Sequence, residues 1–292
     1  MRIALINSGI GLLATAAELH RLRPDADLVL AMDPDGMPWG PRTPADIAQR
    51  SLACARATAA FGPDVLVFAC NTGTVHALPA LRAEFEPAMP VVGTVPAIKP
   101  AAAFSDSVAI WATVATTAST YQRRLIDDFA GSARVTPVPC PGLADAVDAG
   151  DVEATRAAVA GAAARTPADC GAVVLGCTEY ELAAELIGAA LPGVTLFRSA
   201  GAVAAQALRR VAASGTDAGP EAAPSRAGTV RVLLSGRQAG LPEAALRYAE
   251  GRLLADLVVD DRADEPLADD RADEPLAERE AERSVPPSSV PA

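Results

Sequence analysis

Short apolar runs recur along this chain and alternate with segments that carry helix signals. The runs are rich in Val, Ile and Leu and predict buried strands at 3–6, 28–31, 65–69, 91–93, 108–111, 135–138, 172–175 and 229–234. Helices are predicted between them at 12–21, 44–61, 77–85, 121–129, 151–165, 199–213 and 242–254. This alternation predicts an α/β fold built on doubly wound parallel sheets.

The pattern also divides the chain. A second α/β unit is predicted to begin near residue 101, and residues 214–228 predict a loop because they are rich in Gly, Pro, Ala and Ser. The last stretch, 260–292, contains the nonapeptide DDRADEPLA twice in succession, followed by Pro and Ser. Two acidic copies are too few for a stacked repeat, so this stretch is predicted to be a disordered acidic tail, with an interaction role as the alternative.

Composition narrows the classes of function. The net charge of −11 argues against nucleic acid as a partner, and no apolar stretch predicts a membrane span. The five cysteines are an odd number without the short spacings of a disulfide framework or a zinc site, and only two histidines are present. We therefore predict a cytoplasmic protein with free thiols and no metal.

Two cysteines occupy nearly matching positions. Cys70 and Cys177 each follow an apolar run, and a hydroxyl-bearing residue lies close behind each of them. Ligands of α/β sheets bind at the carboxyl ends of strands, so both thiols are predicted to face one pocket. Two thiols on opposite sides of one carbon can move a proton across it, and thiol pKa values respond readily to local charge. This chemistry is racemisation.

Several motifs resemble those of the aspartate/glutamate racemase superfamily, and most closely its glutamate racemase branch. The resemblance runs from residue 3 to about 259 and rests above all on the two cysteine motifs, 69–72 (ACNT) and 175–178 (LGCT), in their order and spacing. Further matching segments are 7–11 (NSGIG), 37–40 (MPWG), 92–97 (VGTVPA), 113–117 (TVATT), Cys140-Pro141 with the later Asp148, and 234–236 (LSG).

The resemblance implies a fold, a reaction and a set of site residues. It implies two pseudo-symmetric α/β lobes, 1–97 plus 208–259 and 98–207, with the active site between them. Cys70 and Cys177 would be the acid/base thiols, and the reaction would need no pyridoxal phosphate or other cofactor. A homodimer and a supply of D-glutamate for peptidoglycan would also fit. Residues expected to contact an amino acid substrate are Asn7, Ser8, Pro38, Trp39, Gly40, Asn71, Thr72, Thr113, Thr116, Thr117, Thr178 and Glu179.

Three positions depart from the glutamate racemase pattern. Asn7 replaces an aspartate, Trp39 replaces a tyrosine, and Glu179 replaces a histidine. Aspartate racemases often have a glutamate at the last of these positions, as this chain does. A carboxylate at 179 should raise the pKa of Cys177 or hold the substrate ammonium. Glutamate is the predicted substrate. The alternatives are an aspartate racemase, another isomerase or epimerase of the superfamily, or a binding protein without catalysis.

Overall fold

Two separate sheets organise the described part of the chain. The structure, a computed structural model, describes residues 1–215 and 226–259. The first sheet has the strand order β10-β9-β2-β1-β3-β4, and the second has the order β6-β5-β7-β8. The strands are Arg2–Asn7 (β1), Asp27–Met32 (β2), Val65–Phe68 (β3), Val91–Gly93 (β4), Ser107–Ala112 (β5), Arg134–Pro139 (β6), Ala172–Leu175 (β7), Thr195–Phe197 (β8), Val230–Leu234 (β9) and Arg237–Ala239 (β10).

Helices connect these strands. Within the described residues they are Leu12–Leu22 (α1), Pro44–Ala59 (α2), Asn71–Phe85 (α3), Ile98–Phe104 (α4), Val114–Ala118 (α5), Thr120–Phe129 (α6), Leu143–Asp148 (α7), Val152–Ala163 (α8), Thr178–Leu182 (α9), Ala184–Ala190 (α10), Ala200–Ser214 (α11) and Ala249–Ala255 (α12), with a 3₁₀ helix at Glu243–Arg247. All strand pairs are parallel except the β9–β10 pair at the edge. The predicted α/β class with two parallel sheets is confirmed.

The inner strands of each sheet are buried on both faces, which explains their continuous apolar runs. Successive side chains of a strand point to opposite faces. In β1, Ile3 and Leu5 accordingly join one core cluster, whereas Ala4 and Ile6 join another. The second sheet repeats this arrangement, because Trp111 and Ile110 of β5 also belong to different clusters.

After the second sheet, the chain returns to the first sheet and adds two strands to it, β9 and β10. β9 pairs with β2 in parallel, and α11 packs against α1. Consequently β1–β4, β9 and β10 form one sheet, and β5–β8 form the other. The lobe boundaries at 97/98 and 207/208 stay predictions, and the predicted acidic tail lies outside the described residues.

Two helices differ from their predicted bounds by more than two residues. The helix expected at 77–85 begins six residues earlier, immediately after Cys70. The helix expected at 242–254 is divided, because Tyr248 adopts an extended conformation with φ −104° and ψ 149° between the 3₁₀ helix and α12. Among the described helices, none combines the length and apolar character needed to cross a membrane.

Candidate active site

A cavity of about 290 Å³ lies at the carboxyl ends of strands from both sheets. Cys70 comes from the end of β3 in the first sheet, and Cys177 comes from the end of β7 in the second. Both line this cavity. The complete lining is Ser8, Pro38, Trp39, Gly40, Pro41, Cys70, Asn71, Thr72, Thr113, Val114, Ala115, Cys140, Pro141, Gly142, Ala144, Asp145, Asp148, Cys177 and Glu179.

The structure brings most of the predicted site residues into this lining. Four lie elsewhere. Asn7 and Thr178 are buried behind the wall and hydrogen-bond to each other, with Asn7 Nδ2 at 3.2 Å from Thr178 Oγ1. Thr116 and Thr117 lie in the short helix α5, where they hydrogen-bond to Thr113. They therefore support the lining residue Thr113 rather than face the cavity.

Cys70 caps the helix that follows it. Its sulfur accepts the backbone N–H of Gly73 at 3.3 Å, and its side chain is 6% exposed. Burial and the negative charge of Glu179 raise the pKa of the Cys70 thiol to about 12, although N–H groups of Gly73 and Thr72 oppose the shift. Cys70 is therefore a protonated thiol at neutral pH.

Cys177 has a different partner. Its Sγ donates to Oε2 of Glu179 at 2.8 Å. Burial and the adjacent Glu179 carboxylate raise the pKa of the Cys177 thiol well above its ordinary value. A proton acceptor is thus already in place beside this sulfur.

Two glycines give two acidic side chains room to reach the end of β1. A Cβ at Gly9 would overlap the carboxylate of Asp148, and a Cβ at Gly11 would lie 2.5 Å from Oε1 of Glu179. Asp148 is fixed there because its Oδ1 accepts the backbone N–H of Ile10 at 2.9 Å. The turn after β1 is therefore shaped around carboxylates supplied by the second sheet's connections.

The position of Asp148 in the cavity wall changes the pKa of its carboxyl group. Burial and the charge of Glu179 raise the pKa of the Asp148 carboxyl well above its ordinary value, while the bond from Ile10 works in the opposite direction. Among the described lining residues, the charged types are Asp145, Asp148 and Glu179, and all are acidic.

Trp39 forms part of the wall and is held from behind. Its Nε1 donates to Oδ2 of Asp33 at 3.0 Å, and its ring meets Phe68 edge-on with centroids 6.1 Å apart. Asp33 also accepts from Arg50 at 3.2 Å and from Ser235 at 3.1 Å. The indole N–H, which a tyrosine would lack, thus joins the wall to a fixed carboxylate.

Asn71 is buried in the wall without protein partners. It is 3% exposed, and neither its Nδ2 nor its Oδ1 has a hydrogen-bond partner among the described residues. An unpaired buried amide is costly. Because Asn71 lines the cavity, a ligand with both a donor and an acceptor would satisfy it.

Sequence reasoning missed several lining residues from the second sheet's connections. Asp145, Asp148 and the segment 140–142 follow the end of β6, and Val114 and Ala115 begin α5. The family resemblance includes Cys140, Pro141 and Asp148 but does not make them substrate contacts. The available signal for Asp148 was position, because it belongs to the first helix after a strand whose carboxyl end faces the cavity.

Comparisons with known proteins agree with this arrangement. Residues 6–207 match the model of the family described as Asp/Glu/hydantoin racemase. The chain is 35% identical to glutamate racemase of Pseudomonas putida strain W619 over 217 residues, which are 73% of this chain and 82% of that protein. It is 38% identical to glutamate racemase of Herpetosiphon aurantiacus over 218 residues, which are 73% of this chain and 85% of that protein.

A solved structure gives the same picture. The crystal structure of Escherichia coli glutamate racemase with L-glutamate and the activator UDP-MurNAc-ala superposes with a TM-score of 0.70 at 28% identity, covering 84% of this chain and 91% of that one. Paired strand-end cysteines, a shared cavity and a family match over most of the chain all lead to one assignment. This chain belongs to the Asp/Glu/hydantoin racemase family.

Proposed function

We propose that this chain is an isomerase that racemises an acidic amino acid at Cα without a cofactor, with glutamate as its substrate. One observation carries the proposal: Cys70 and Cys177, from two different sheets, line the same cavity. The relatives named above are glutamate racemases, which supports glutamate as the first substrate to test.

In the proposed reaction, one proton is removed from Cα of the substrate and another is added to its opposite face. The Cys177 thiol passes its proton to Glu179, and the resulting thiolate takes the proton from Cα. The electron pair of the C–H bond stays on Cα. Cys70 then gives its thiol proton to the opposite face and becomes a thiolate. The reverse direction retraces these steps. The Cys70 thiolate takes the proton from Cα, and Cys177 gives its proton to the opposite face and recovers one from Glu179. Proton exchange with solvent interconverts the two protonation states between turnovers.

The surroundings suit this chemistry. The raised pKa values keep both thiols protonated until a substrate arrives, and the substrate ammonium then favours thiolate formation by its positive charge. The unpaired amide of Asn71 and the hydroxyls of Ser8, Thr72 and Thr113 offer hydrogen bonds to a carboxylate without adding charge.

Exchange in heavy water tests the proposal. Each enantiomer of glutamate and of aspartate is incubated with the protein, while NMR follows the Cα–H signal and circular dichroism follows the configuration. We expect both enantiomers of glutamate to lose the signal. Cys70→Ala and Cys177→Ala should each lower racemisation by roughly 10²–10⁴-fold, because each removes one proton-transfer group.

Cys170→Ala is the matched control, since this buried cysteine precedes β7 and lies outside the cavity lining. It should racemise glutamate like the unmodified protein. Exchange with aspartate alone would move the substrate to the shorter acid. Binding without any exchange would identify a non-catalytic protein and refute the proposal. A homodimer, a cytoplasmic location and a role in peptidoglycan stay predictions.

A further inference from the structure

The side-chain amide of Asn7 joins the two sheets directly behind the cavity. Asn7 ends β1 and is fully buried. Its Oδ1 accepts the backbone N–H of Ser8 at 2.7 Å, which fixes the orientation of the amide. Its Nδ2 then points at the second sheet's connection, where it lies 3.2 Å from Thr178 Oγ1 and 3.3 Å from Glu179 Oε1.

Glu179 is held at both of its oxygens. Oε1 accepts from the Asn7 amide, while Oε2 accepts from the Cys177 sulfur at 2.8 Å. The residue is 4% exposed, so solvent contributes little to fixing or stabilising its charge. The orientation of the carboxylate toward Cys177 therefore depends on protein donors, and Asn7 supplies one from the other sheet.

We propose that Asn7 is a positioning residue for proton transfer at Cys177, because its amide holds the Glu179 carboxylate in the orientation that faces the sulfur. The inference rests on the proposed racemase function. In the step concerned, the Cys177 S–H bond breaks, its proton joins Oε2 of Glu179, and the thiolate formed takes the proton of Cα. Cys70 differs, since its sulfur accepts the Gly73 N–H.

An amide suits this position because it donates without adding charge. The ionisable groups that act on the neighbourhood of Glu179 are Asp148 from α7, Cys70 after β3, Cys177 and Tyr180. None of these carries positive charge. A carboxylate in place of the amide would lie 3.3 Å from Glu179 as a second negative group.

Two variants with opposite pH signatures test the inference. Asn7→Ala removes the donor, so we expect kcat to fall about tenfold or more and its acidic limb to move to higher pH. Asn7→Asp is isosteric. One proton shared between the two carboxyls can replace the amide N–H, so we expect partial activity at low pH that is lost as pH rises and that proton leaves.

Isotope effects supply a readout that belongs to one thiol. Enantiomers have equal free energies, so kcat/KM must fall equally in both directions. With Cα-deuterated substrates, however, the isotope effect should rise in Asn7→Ala for the enantiomer that Cys177 deprotonates and fall for its mirror image. Thr58→Ala is the control, because it removes a buried hydrogen bond to Ala55 outside the cavity. It should change neither the pH limbs nor the isotope effects.

The outcomes separate this inference from the proposed function. Equal loss of kcat in both Asn7 variants, with unchanged pH limbs and isotope effects, would make Asn7 merely structural and overturn the inference while the racemase remains. If the unmodified protein exchanges no amino acid, the proposed function fails, and the pH profile of Cys177 alkylation by iodoacetamide decides. That profile should shift in Asn7→Ala and not in Thr58→Ala, and an unchanged profile would overturn the inference.

Discussion

The two thiols that define the site have unequal surroundings. Cys70 is bonded by a backbone N–H of its own helix, whereas Cys177 donates to the carboxylate of Glu179. Burial and nearby negative charge raise the pKa of both. In the proposed reaction, the positive charge of the substrate ammonium would lower both thiol pKa values, which ties activation of the thiols to substrate binding.

The buried carboxyl of Asp148 makes the stability of the protein depend on pH. Its pKa is raised in the folded state, so the folded protein holds this proton more tightly than the unfolded chain. Its contribution to stability is complete below the ordinary carboxyl pKa and is lost as pH rises through the folded value. Asp148→Asn keeps an oxygen for the Ile10 N–H and removes the charge.

We expect Asp148→Asn to raise the free energy of unfolding at pH 8 by about 1 kcal/mol or more, with little change near pH 3. Racemisation should fall, because a lining carboxyl is lost. Urea denaturation at both pH values measures the first effect. Equal stability changes at pH 3 and pH 8 would exclude the charge as its cause.

The position of a single residue could be predicted from the sequence where a local pattern, such as an apolar run, defines the end of a strand. Cys70 and Cys177 follow apolar runs, so strand ends could be located from the sequence. The position of Asp148 could not be predicted in this way, because its neighbours Gly9 and Ile10 lie in the turn after β1, far away in the chain. The network around Asn7 was missed for the same reason.

Among the secondary-structure connections, the turn between β1 and α1 is packed closely against the cavity's acidic side chains. Gly9 and Gly11 leave space that Asp148 and Glu179 occupy. The requirement is close approach and not an unusual backbone angle. This turn therefore limits how near α7 and α9 can bring their carboxylates.

Gly11→Ala tests that limit. The added Cβ would lie 2.5 Å from Oε1 of Glu179 and 2.6 Å from Oγ1 of Thr178, so both side chains must shift, and the contact between Glu179 and Cys177 is disturbed. We expect a loss of stability of about 1–3 kcal/mol, typical of overpacking, and a marked fall in kcat. Thermal unfolding and racemisation assays measure both.

Gly161→Ala is the matched control in helix α8, where the nearest atom to an added Cβ is 3.7 Å away. It should leave racemisation intact and stabilise the helix by about 0.5–1 kcal/mol. If Gly11→Ala behaves like this control, the turn is not shaped by the carboxylates.

Helices and strands could be predicted where the intrinsic propensity of their residues agrees with the pattern of burial. They were harder to predict where a contact between distant parts of the fold sets the first residue. Helix α3 starts at Asn71, but Thr72, Gly73 and Thr74 are weak helix formers. Its cap is the sulfur of Cys70, which is not one of the usual N-cap side chains. The five-residue helix α5 has no buried residue and so leaves no apolar pattern to detect.

For the whole molecule, the alternation of strands and helices identified two α/β sheets but not their strand orders. Neighbouring strands such as β2 and β9 are far apart in the sequence, and apolar runs alone do not specify which strands pair with each other. Asp27 at the start of β2 helps to fix this pair. It is bonded by Arg226 at 2.7 Å and by the hydroxyl of Thr229 at 2.9 Å, just before β9.

Asp27→Asn tests how much this closure contributes. Burial opposes ionisation, but the bonds from Arg226 and Thr229 prevail and lower the pKa of Asp27 to about 2. A lowered pKa stabilises the fold above the ordinary carboxyl value, and the gain is lost as pH falls toward 2. We expect the variant to lose up to about 2 kcal/mol at pH 7 and little near pH 2.

Denaturation of both proteins across this range measures the difference. Asp169→Asn removes an exposed ion pair with Arg134 and serves as the control, with an expected cost of about 0–1 kcal/mol. A pH-independent loss in Asp27→Asn would show that the hydrogen-bond geometry and not the charge joins these strands.

The acidic lining of the cavity has a consequence for what can enter it. Asp145, Asp148 and Glu179 are its charged side chains among the described residues, so the nitrogen of the incoming molecule must bring the positive charge. An N-acylated amino acid has an uncharged amide there and would arrive as a pure anion. We therefore expect the acidic lining to exclude N-blocked amino acids and to favour those with a free amino group.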